Sequence, residues 1–254
     1  MHNDLFSIGP VTVHGYGLMI GIGLAVAIIM GDYRASKRGL NGDAVYGLSF
    51  VTVIFGFLSA RILFIITEWK DFLQHPMNYI TGSGFVVYGG IIGGLLTIYL
   101  YCRIKKMDFW AYLDLMAPSI AIAQGFGRIG CFLAGCCYGK ETDSCLGVVF
   151  KHSQFAPNNV KLLPSQLFSS AGDFILCGIL LWLSTKQLQK GKVAMMYMIL
   201  YSIGRFFVEF TRNDPRGSVG CLSTSQFIAI IVFVISVLFY RFHHWDETEK
   251  GEKA

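Results

Sequence analysis

The segment Tyr201-Ser-Ile-Gly-Arg205-Phe-Phe-Val-Glu209-Phe-Thr-Arg212 spaces four side chains capable of chemistry at steps of four, four and three residues. On a helix those steps fall on one face. Phe206, Phe207, Val208 and Phe210 fill the rest of the segment, so the surroundings are apolar. Charged groups in such a setting are costly unless they face a polar cavity or a partner helix. An internal Arg205–Glu209 ion pair could simply lock helices together, with Arg212 snorkelling to the headgroups. The wider balance points elsewhere. Apolar blocks of this chain hold Arg61, Arg128, Arg205 and Arg212 against few acids, chiefly Glu209 and Asp114. A surplus of guanidinium groups seeks an anion, and arginine's planar fork suits phosphate. In a bilayer the abundant phosphate is the lipid headgroup.

A second constellation runs from Gln124 to Gly139 as Gln-Gly-Phe-Gly-Arg128-Ile-Gly-Cys131-Phe-Leu-Ala-Gly-Cys136-Cys137-Tyr-Gly139, with five glycines in sixteen residues. Glycines permit close backbone approach and unusual dihedral angles. Small-residue helix packing would explain them, but packing does not require the arginine; a phosphate clamp does. Two further stretches are weaker. Val87-Tyr88-Gly-Gly-Ile-Ile-Gly-Gly is the pattern of a helix-packing seam, and His14-Gly-Tyr16-Gly combines residues that often serve as interfacial anchors. Seven cysteines make an odd count, which excludes complete disulfide pairing. The spacing Cys131-x4-Cys136-Cys137-x7-Cys145 is compatible with one loop disulfide or a zinc site, without the CxxC pairs typical of the latter.

The elements that must carry these residues follow from composition. Of 254 residues, 54% belong to the hydrophobic set and 15% are charged, with mean hydropathy +0.53. A soluble domain carries roughly a quarter charged residues, so a water-soluble enzyme and a disordered chain are both excluded. A helix crossing the bilayer needs about 20 apolar residues, and seven blocks qualify: roughly 14–31, 45–66, 85–102, 111–133, 166–184, 193–211 and 225–241. The expected fold is an all-α integral membrane protein, a bundle of about seven transmembrane helices with a small extracytoplasmic cap. Residues 1–242 form a single transmembrane domain with outer loop 134–165, and residues 243–254 a charged cytoplasmic tail.

Orientation follows from the basic residues of the connections. With the N-terminus outside, inside segments hold Arg34, Lys37, Arg38; Arg103, Lys105, Lys106; Lys186, Lys190, Lys192; and Arg241, Lys250, Lys253. Outside lie Lys70, Lys140, Lys151, Lys161 and Arg216. The net charge of +5 is therefore mostly topology bias and calls for no nucleic-acid partner. The first span lacks the basic n-region of a cleavable signal peptide, since residues 1–33 contain no Lys or Arg.

Taken together these residues resemble the prolipoprotein diacylglyceryl transferase family, from Gly9-Pro10 and His14-Gly-Tyr16-Gly-Leu18 to the last span. The family signature Gly-Arg-x-Gly-Asn-Phe-x-x-Gly-Glu-x-x-Gly is matched by Gly127-Arg128-Ile-Gly130-Cys131-Phe132-Leu-Ala-Gly135-Cys136-Cys137-Tyr138-Gly139. Ala60-Arg61, Asp114 with Ala117-Pro118, Pro164-Ser165-Gln166-Leu167, the Arg205/Glu209/Arg212 stripe, and Ser223 with Gln226 add support. The chain departs from the pattern at three places. Tyr88 stands where the best-known members carry His, Cys131 and Cys136 replace the signature's Asn and Glu, and the Pro-Ser-Gln-Leu element continues as Phe168-Ser169.

The resemblance implies a seven-span bundle, N-out and C-in, in the bacterial cytoplasmic membrane. It also implies transfer of diacylglyceryl from phosphatidylglycerol to the lipobox cysteine thiol of a preprolipoprotein, with no metal or organic cofactor. Its implied catalytic residues are Arg128 and Arg205 as phosphate clamp, Glu209 holding an arginine, and Tyr88. Tyrosine has an unperturbed pKa near 10 against ~6.5 for histidine, so the base is left open between water and a tyrosinate held among arginines. Tyr16, Gly139, Tyr201, Arg212, Gln166 and His14 are the implied substrate-binding residues. The rival from another class is a non-catalytic seven-span lipid-binding or transport protein. A transporter is expected to show repeat symmetry or broken helices, and neither is visible in the sequence.

Overall fold

The structure is a computed structural model that describes residues 4–8, 11–81, 84–186, 188–214 and 217–242. Gly9-Pro10, Arg216 and the charged tail 243–254 lie outside the described residues. The chain opens with a hairpin of β1 (Asp4–Ile8) and β2 (Val11–His14), paired antiparallel. There follow α1 (Gly15–Lys37), α2 (Gly42–Thr67), the short α3 (Trp69–Gln74) and α4 (Pro76–Thr81), α5 (Val87–Ile104) and α6 (Phe109–Ala134). A loop with the two-residue ladder β3 (Val148–Val149) and β4 (Lys161–Leu162) leads to α7 (Ser165–Ser184). Next come α8 (Lys192–Val208), a 3-10 turn over Glu209–Thr211, the ladder β5 (Ser218–Val219) with β6 (Leu222–Ser223), and α9 (Thr224–Phe242).

Among the described residues six helices, α1, α2, α5, α7, α9 and α8 with its terminal turn, are long and apolar enough to cross a membrane. The seventh block is α6, whose 26 residues reach about 39 Å at 1.5 Å per residue. It stands outside those six, its apolar run interrupted by Asp114, Pro118, Gln124 and Arg128. Large apolar side chains such as Phe50, Ile62 and Ile104 stand exposed on these helices. That surface would be untenable in water and is what acyl chains require. The protein is an all-α membrane protein, and its helices coincide with the seven apolar blocks of the sequence. The N-terminal hairpin and the pair α3 and α4 were not visible as apolar blocks.

The chain divides into two compact units, residues 31–113 and residues 1–30 with 114–254. In the first, α5 packs on α2 through glycines. A Cβ on Gly89 would sit 2.6 Å from the Ser59 carbonyl oxygen, and one on Gly93 would overlap the Ser59 side chain. The Gly-Gly-x-x-Gly-Gly stretch is thus a packing seam. Arg61 on α2 donates from Nη1 to the Gly84 carbonyl at 2.7 Å, and its guanidinium lies 5.4 Å from the Phe85 ring centroid. Val86 N–H donates to the Ala60 carbonyl at 3.1 Å. These bonds fix the chain just before Tyr88, which stands exposed in the first turn of α5.

In the second unit, a core of Ala117, Ala121, Leu176, Cys177, Leu180 and Val193 joins α6, α7 and α8. Pro118 is tolerated inside α6 because membrane helices recover freed backbone groups from their neighbours. Ser170 Oγ donates to the Gly125 carbonyl at 2.9 Å, tying α7 to α6. The loop after α6 has a core of its own in Phe150, Ala156 and Leu162, against which Phe132, Tyr138 and Val160 pack. It is a folded cap over the end of α6.

Candidate functional site

α6, α7 and α8 wall a cavity of about 250 Å³. Arg128 from α6, Asp173 from α7, and Tyr201 and Arg205 from α8 supply its polar side chains, together with Ser169. Leu176, Leu200 and Val208 supply apolar wall, and the exposed Ile175, Ile179 and Ile203 flank it between α7 and α8. The cavity therefore has cationic groups inside and aliphatic groups towards the lipid-facing surface.

Each polar group is placed by its own element. Arg128 lies six residues before the end of α6, about 9 Å along the axis. Among the described residues no hydrogen bond or ion pair ties its guanidinium to the protein. Arg205 is held on two sides: Nη2 donates to Ser225 Oγ at 2.9 Å, and Nη1 lies 3.0 Å from Glu209 Oε2. The latter contact has ion-pair distance without hydrogen-bond alignment, so Nη1 remains without a directed acceptor. Tyr201 stacks on Tyr197, with ring centroids 5.7 Å apart, and the Tyr197 hydroxyl donates to Gln124 Oε1 at 2.9 Å. That bond links α8 to the glycine-rich stretch of α6.

Arg212 departs from the position its spacing predicts. The helix ends at Val208, the next turn is 3-10, and Arg212 is extended at φ −89° and ψ 154°. The helical stripe therefore ends before Arg212, although the Arg212 charge still acts on Arg205 and Arg128. Its Nε and Nη2 bind both oxygens of Asp214, at 3.1 and 2.9 Å. Burial acts to lower its pKa, but the hydrogen-bonded Asp214 carboxylate and Cys137 hold it above the usual value. The guanidinium surplus read from the sequence also shrinks. Arg212 is matched by Asp214, Arg205 by Glu209, Arg61 belongs to the other unit, and Asp173 adds a carboxylate to the cavity wall. What distinguishes the site is the unengaged Arg128, not a count of charges.

Gly139 sits where three chain segments cross. Its N–H donates to the Leu163 carbonyl at 3.1 Å, and it bridges Arg212 in a short antiparallel contact. A Cβ there would overlap the Leu163 carbonyl and come within 2.8 Å of the Thr211 carbonyl oxygen. Only glycine lets the cap strand pass between α7's approach and the chain that carries Arg212. Gln166, in the first turn of α7, is almost wholly buried and donates from Nε2 to the Cys136 carbonyl at 2.7 Å. Its Oε1 is buried without a partner. Ser165 Oγ donates to the Cys137 carbonyl at 2.9 Å. Tyr16, in the first turn of α1, approaches α6 closely: a Cβ on Gly130 would lie 3.1 Å from its ring. His14 ends β2, exposed, in register with Asp4. Tyr88 belongs to the other unit, as described above.

All seven cysteines carry free thiols, so the single outer-loop disulfide is not formed. The sulfurs of Cys131, Cys136 and Cys137 nevertheless lie within 4.8 Å of one another. Hydrogen bonds from Cys131 and Cys136, and then the charges of Arg212 and Arg128, hold the Cys137 thiol below its ordinary value.

Sequence reasoning missed Asp173 and Ser225. Asp173 was detectable, since a lone carboxylate in an apolar span is expensive. It also falls seven residues after Gln166 and three after Ser170, on the buried stripe of α7. Ser225 carried no such signal.

Six helices long and apolar enough to cross a membrane, with a cavity between α6, α7 and α8 that carries two arginines, define a membrane-embedded protein. Residues 3–242 match the family model described as prolipoprotein diacylglyceryl transferase. A relative from Clostridium perfringens (strain 13 / Type A), named phosphatidylglycerol–prolipoprotein diacylglyceryl transferase 2, is 50% identical over 95% of this chain and 95% of its own. The phosphatidylglycerol–prolipoprotein diacylglyceryl transferase of Clostridium tetani (strain Massachusetts / E88) is 47% identical over 93% of this chain and 95% of its own. The Staphylococcus haemolyticus (strain JCSC1435) protein of that name is 33% identical over 93% and 86%. The chain belongs to the prolipoprotein diacylglyceryl transferase family.

Proposed function

We propose that this chain is a phosphatidylglycerol–prolipoprotein diacylglyceryl transferase of the bacterial cytoplasmic membrane, oriented N-out and C-in. Its substrates are phosphatidylglycerol, taken from the bilayer, and the lipobox region of a preprolipoprotein. The carrying observation is the cavity between α7 and α8, in which an unengaged Arg128 faces the space while isoleucines flank it towards lipid.

The reaction forms a bond from the lipobox cysteine sulfur to the glycerol carbon of the diacylglyceryl group. The bond from that carbon to the phosphate oxygen breaks, glycerol phosphate leaves with the electron pair, and the thiol gives up its proton. The protein must therefore neutralise a departing phosphate and receive a proton. Arg128 and Arg205 form the phosphate clamp, and Glu209 orients Arg205. Tyr201 and Tyr16 bound the headgroup site. Gly139 and Gln166 act by positioning, the first through Arg212 and the second through the Cys136–Cys137 turn. His14 contributes at the mouth of α1. Tyr88 stands where the family carries a histidine, and the acceptor of the thiol proton is water or a tyrosinate.

The test is an assay of purified protein with phosphatidylglycerol and a lipobox peptide, followed by peptide mass. A diacylglyceryl mass gain that disappears when the peptide cysteine is alanine is the expected result. No gain from folded protein that demonstrably binds phosphatidylglycerol would overturn it in favour of a lipid-binding relative.

A further inference from the structure

Three cysteines converge on the turn that follows α6. Cys131 belongs to the last turn of the helix, and Cys136 and Cys137 follow after Gly135. The turn is unusual in its backbone: Gly135 has φ 76° and Cys137 φ 59°. A non-glycine residue in the left-handed region costs of order 1 kcal/mol or more and persists where its surroundings over-determine it. Here they do, since Gln166 and Ser165 bind the carbonyls of Cys136 and Cys137 at 2.7 and 2.9 Å. Cys136 N–H also donates to the Cys131 carbonyl at 3.1 Å. With both carbonyls drawn towards α7, the three sulfurs come together within 4.8 Å.

We propose that Cys131, Cys136 and Cys137 form a three-thiolate binding site for a thiophilic cation of the Zn²⁺ class. Around a zinc ion with Zn–S distances of about 2.3 Å, neighbouring sulfurs stand ~3.8 Å apart. The cluster reaches that spacing with shifts of an ångström or less. A disulfide needs the sulfurs at about 2.05 Å and would use two of the three, stranding the last. Thiolate donors select zinc or Cu⁺ over the hard cations Mg²⁺ and Ca²⁺. The surroundings suit the charge as well. Three thiolates with one divalent ion carry one net negative charge, and the guanidiniums of Arg212 and Arg128 both act on Cys137. Three protein ligands leave a fourth tetrahedral position to water or another small donor. The ion would clamp the end of α6 to the cap strand that runs on to Gly139.

The test uses the full chain, purified in detergent, fully reduced and stripped with a chelator, then titrated with Co²⁺ and with Zn²⁺. One equivalent of Co²⁺ giving thiolate-to-cobalt charge-transfer absorption, displaced by Zn²⁺, is expected. The absorption falls to near zero in Cys136→Ser and Cys137→Ser and persists in Cys145→Ser and Cys221→Ser, whose cysteines are exposed and outside the cluster. Should the first two variants fail to fold, maleimide labelling of wild type decides: Zn²⁺ protects Cys131, Cys136 and Cys137 and leaves Cys145 reactive. Absence of charge-transfer bands in reduced wild type overturns the proposal. So does binding that survives in both cluster variants, equal labelling with and without Zn²⁺, or a disulfide within the trio that reforms in the presence of Zn²⁺.

Discussion

The two ends of α8 handle buried charge in opposite ways. At its N-terminus the preceding Gly191 has φ 91° and offers no capping side chain. Asp114, reaching over from α6 and only 4% exposed, accepts from Gly191 N–H and Ala194 N–H, both at 2.7 Å. A carboxylate thus meets the N–H groups that a helix start leaves unsatisfied and the positive end of its dipole. Both oxygens are engaged by backbone at the start of α8. At the other end the guanidiniums face a cavity. Arg205 is gripped by Ser225 and Glu209 with Nη1 lacking a directed acceptor, and Arg128 across the cavity has no protein hydrogen bond among the described residues. A closed charge is a structural device, whereas a charge that is positioned but left incomplete waits for a ligand. The comparison teaches that an intramembrane ionisable group marks function only when its bonding is unfinished.

The largest effect that can break this contrast is Arg128→Lys. Lysine keeps the charge but loses the planar fork, so transfer to the lipobox peptide should fall by about a hundredfold or more, in line with loss of a transition-state donor. Thermal stability in detergent should stay near wild type, because Arg128 makes no protein hydrogen bond to lose. Near wild-type activity in this variant would remove Arg128 from the clamp.

Asp114→Ala is the mirror experiment. It orphans two buried N–H groups at the start of α8, at a cost of about 1–3 kcal/mol each before water relieves them. The melting temperature in detergent should drop clearly, while activity per folded molecule stays close to wild type. A variant that keeps its stability and loses its turnover would place Asp114 in the site and dissolve the distinction.

Both residues stood in the sequence as charges in apolar blocks, and only geometry separates them. The positions of the apolar helices were legible because block hydrophobicity is a property of single segments, and the six membrane-length helices and α6 follow it. The Arg205–Glu209 pair was legible for the same local reason, a four-residue step. The spacing did not show that the helix tightens to 3-10 at Glu209 and extends at Arg212, whose guanidinium binds Asp214. Asp173 carried a readable signal that the arginine imbalance obscured. The convergence of Cys131, Cys136 and Cys137 depends on side chains of α7 binding two carbonyls some 30 residues away in sequence, and no local pattern announces it.

Gly139→Ala sharpens the comparison by disturbing only the open end. A methyl group would drive into the Leu163 carbonyl and crowd the Thr211 carbonyl, which are backbone atoms with little freedom to move. Overpacking of this kind costs about 1–3 kcal/mol. The strain falls on the chain that carries Arg212, so activity and stability should decline together. Loss of activity with an unchanged melting temperature would mean that Gly139 touches substrate directly.

Ser225→Ala is the finest probe of the open end. It removes the acceptor of Arg205 Nη2 but leaves the Glu209 contact in place. If the guanidinium were a structural charge like Asp114, losing that bond would appear as instability of about 1 kcal/mol or more. A guanidinium at a cavity wall can instead turn its freed donor to water or to a bound phosphate. Stability should then be nearly unchanged. The loss should show as a several-fold weaker apparent affinity for phosphatidylglycerol with turnover at saturation largely kept, because α9 no longer fixes the fork in advance. Measuring initial rates across a phosphatidylglycerol series separates the two cases, and a pure drop in melting temperature at constant affinity would show that both ends of α8 are closed.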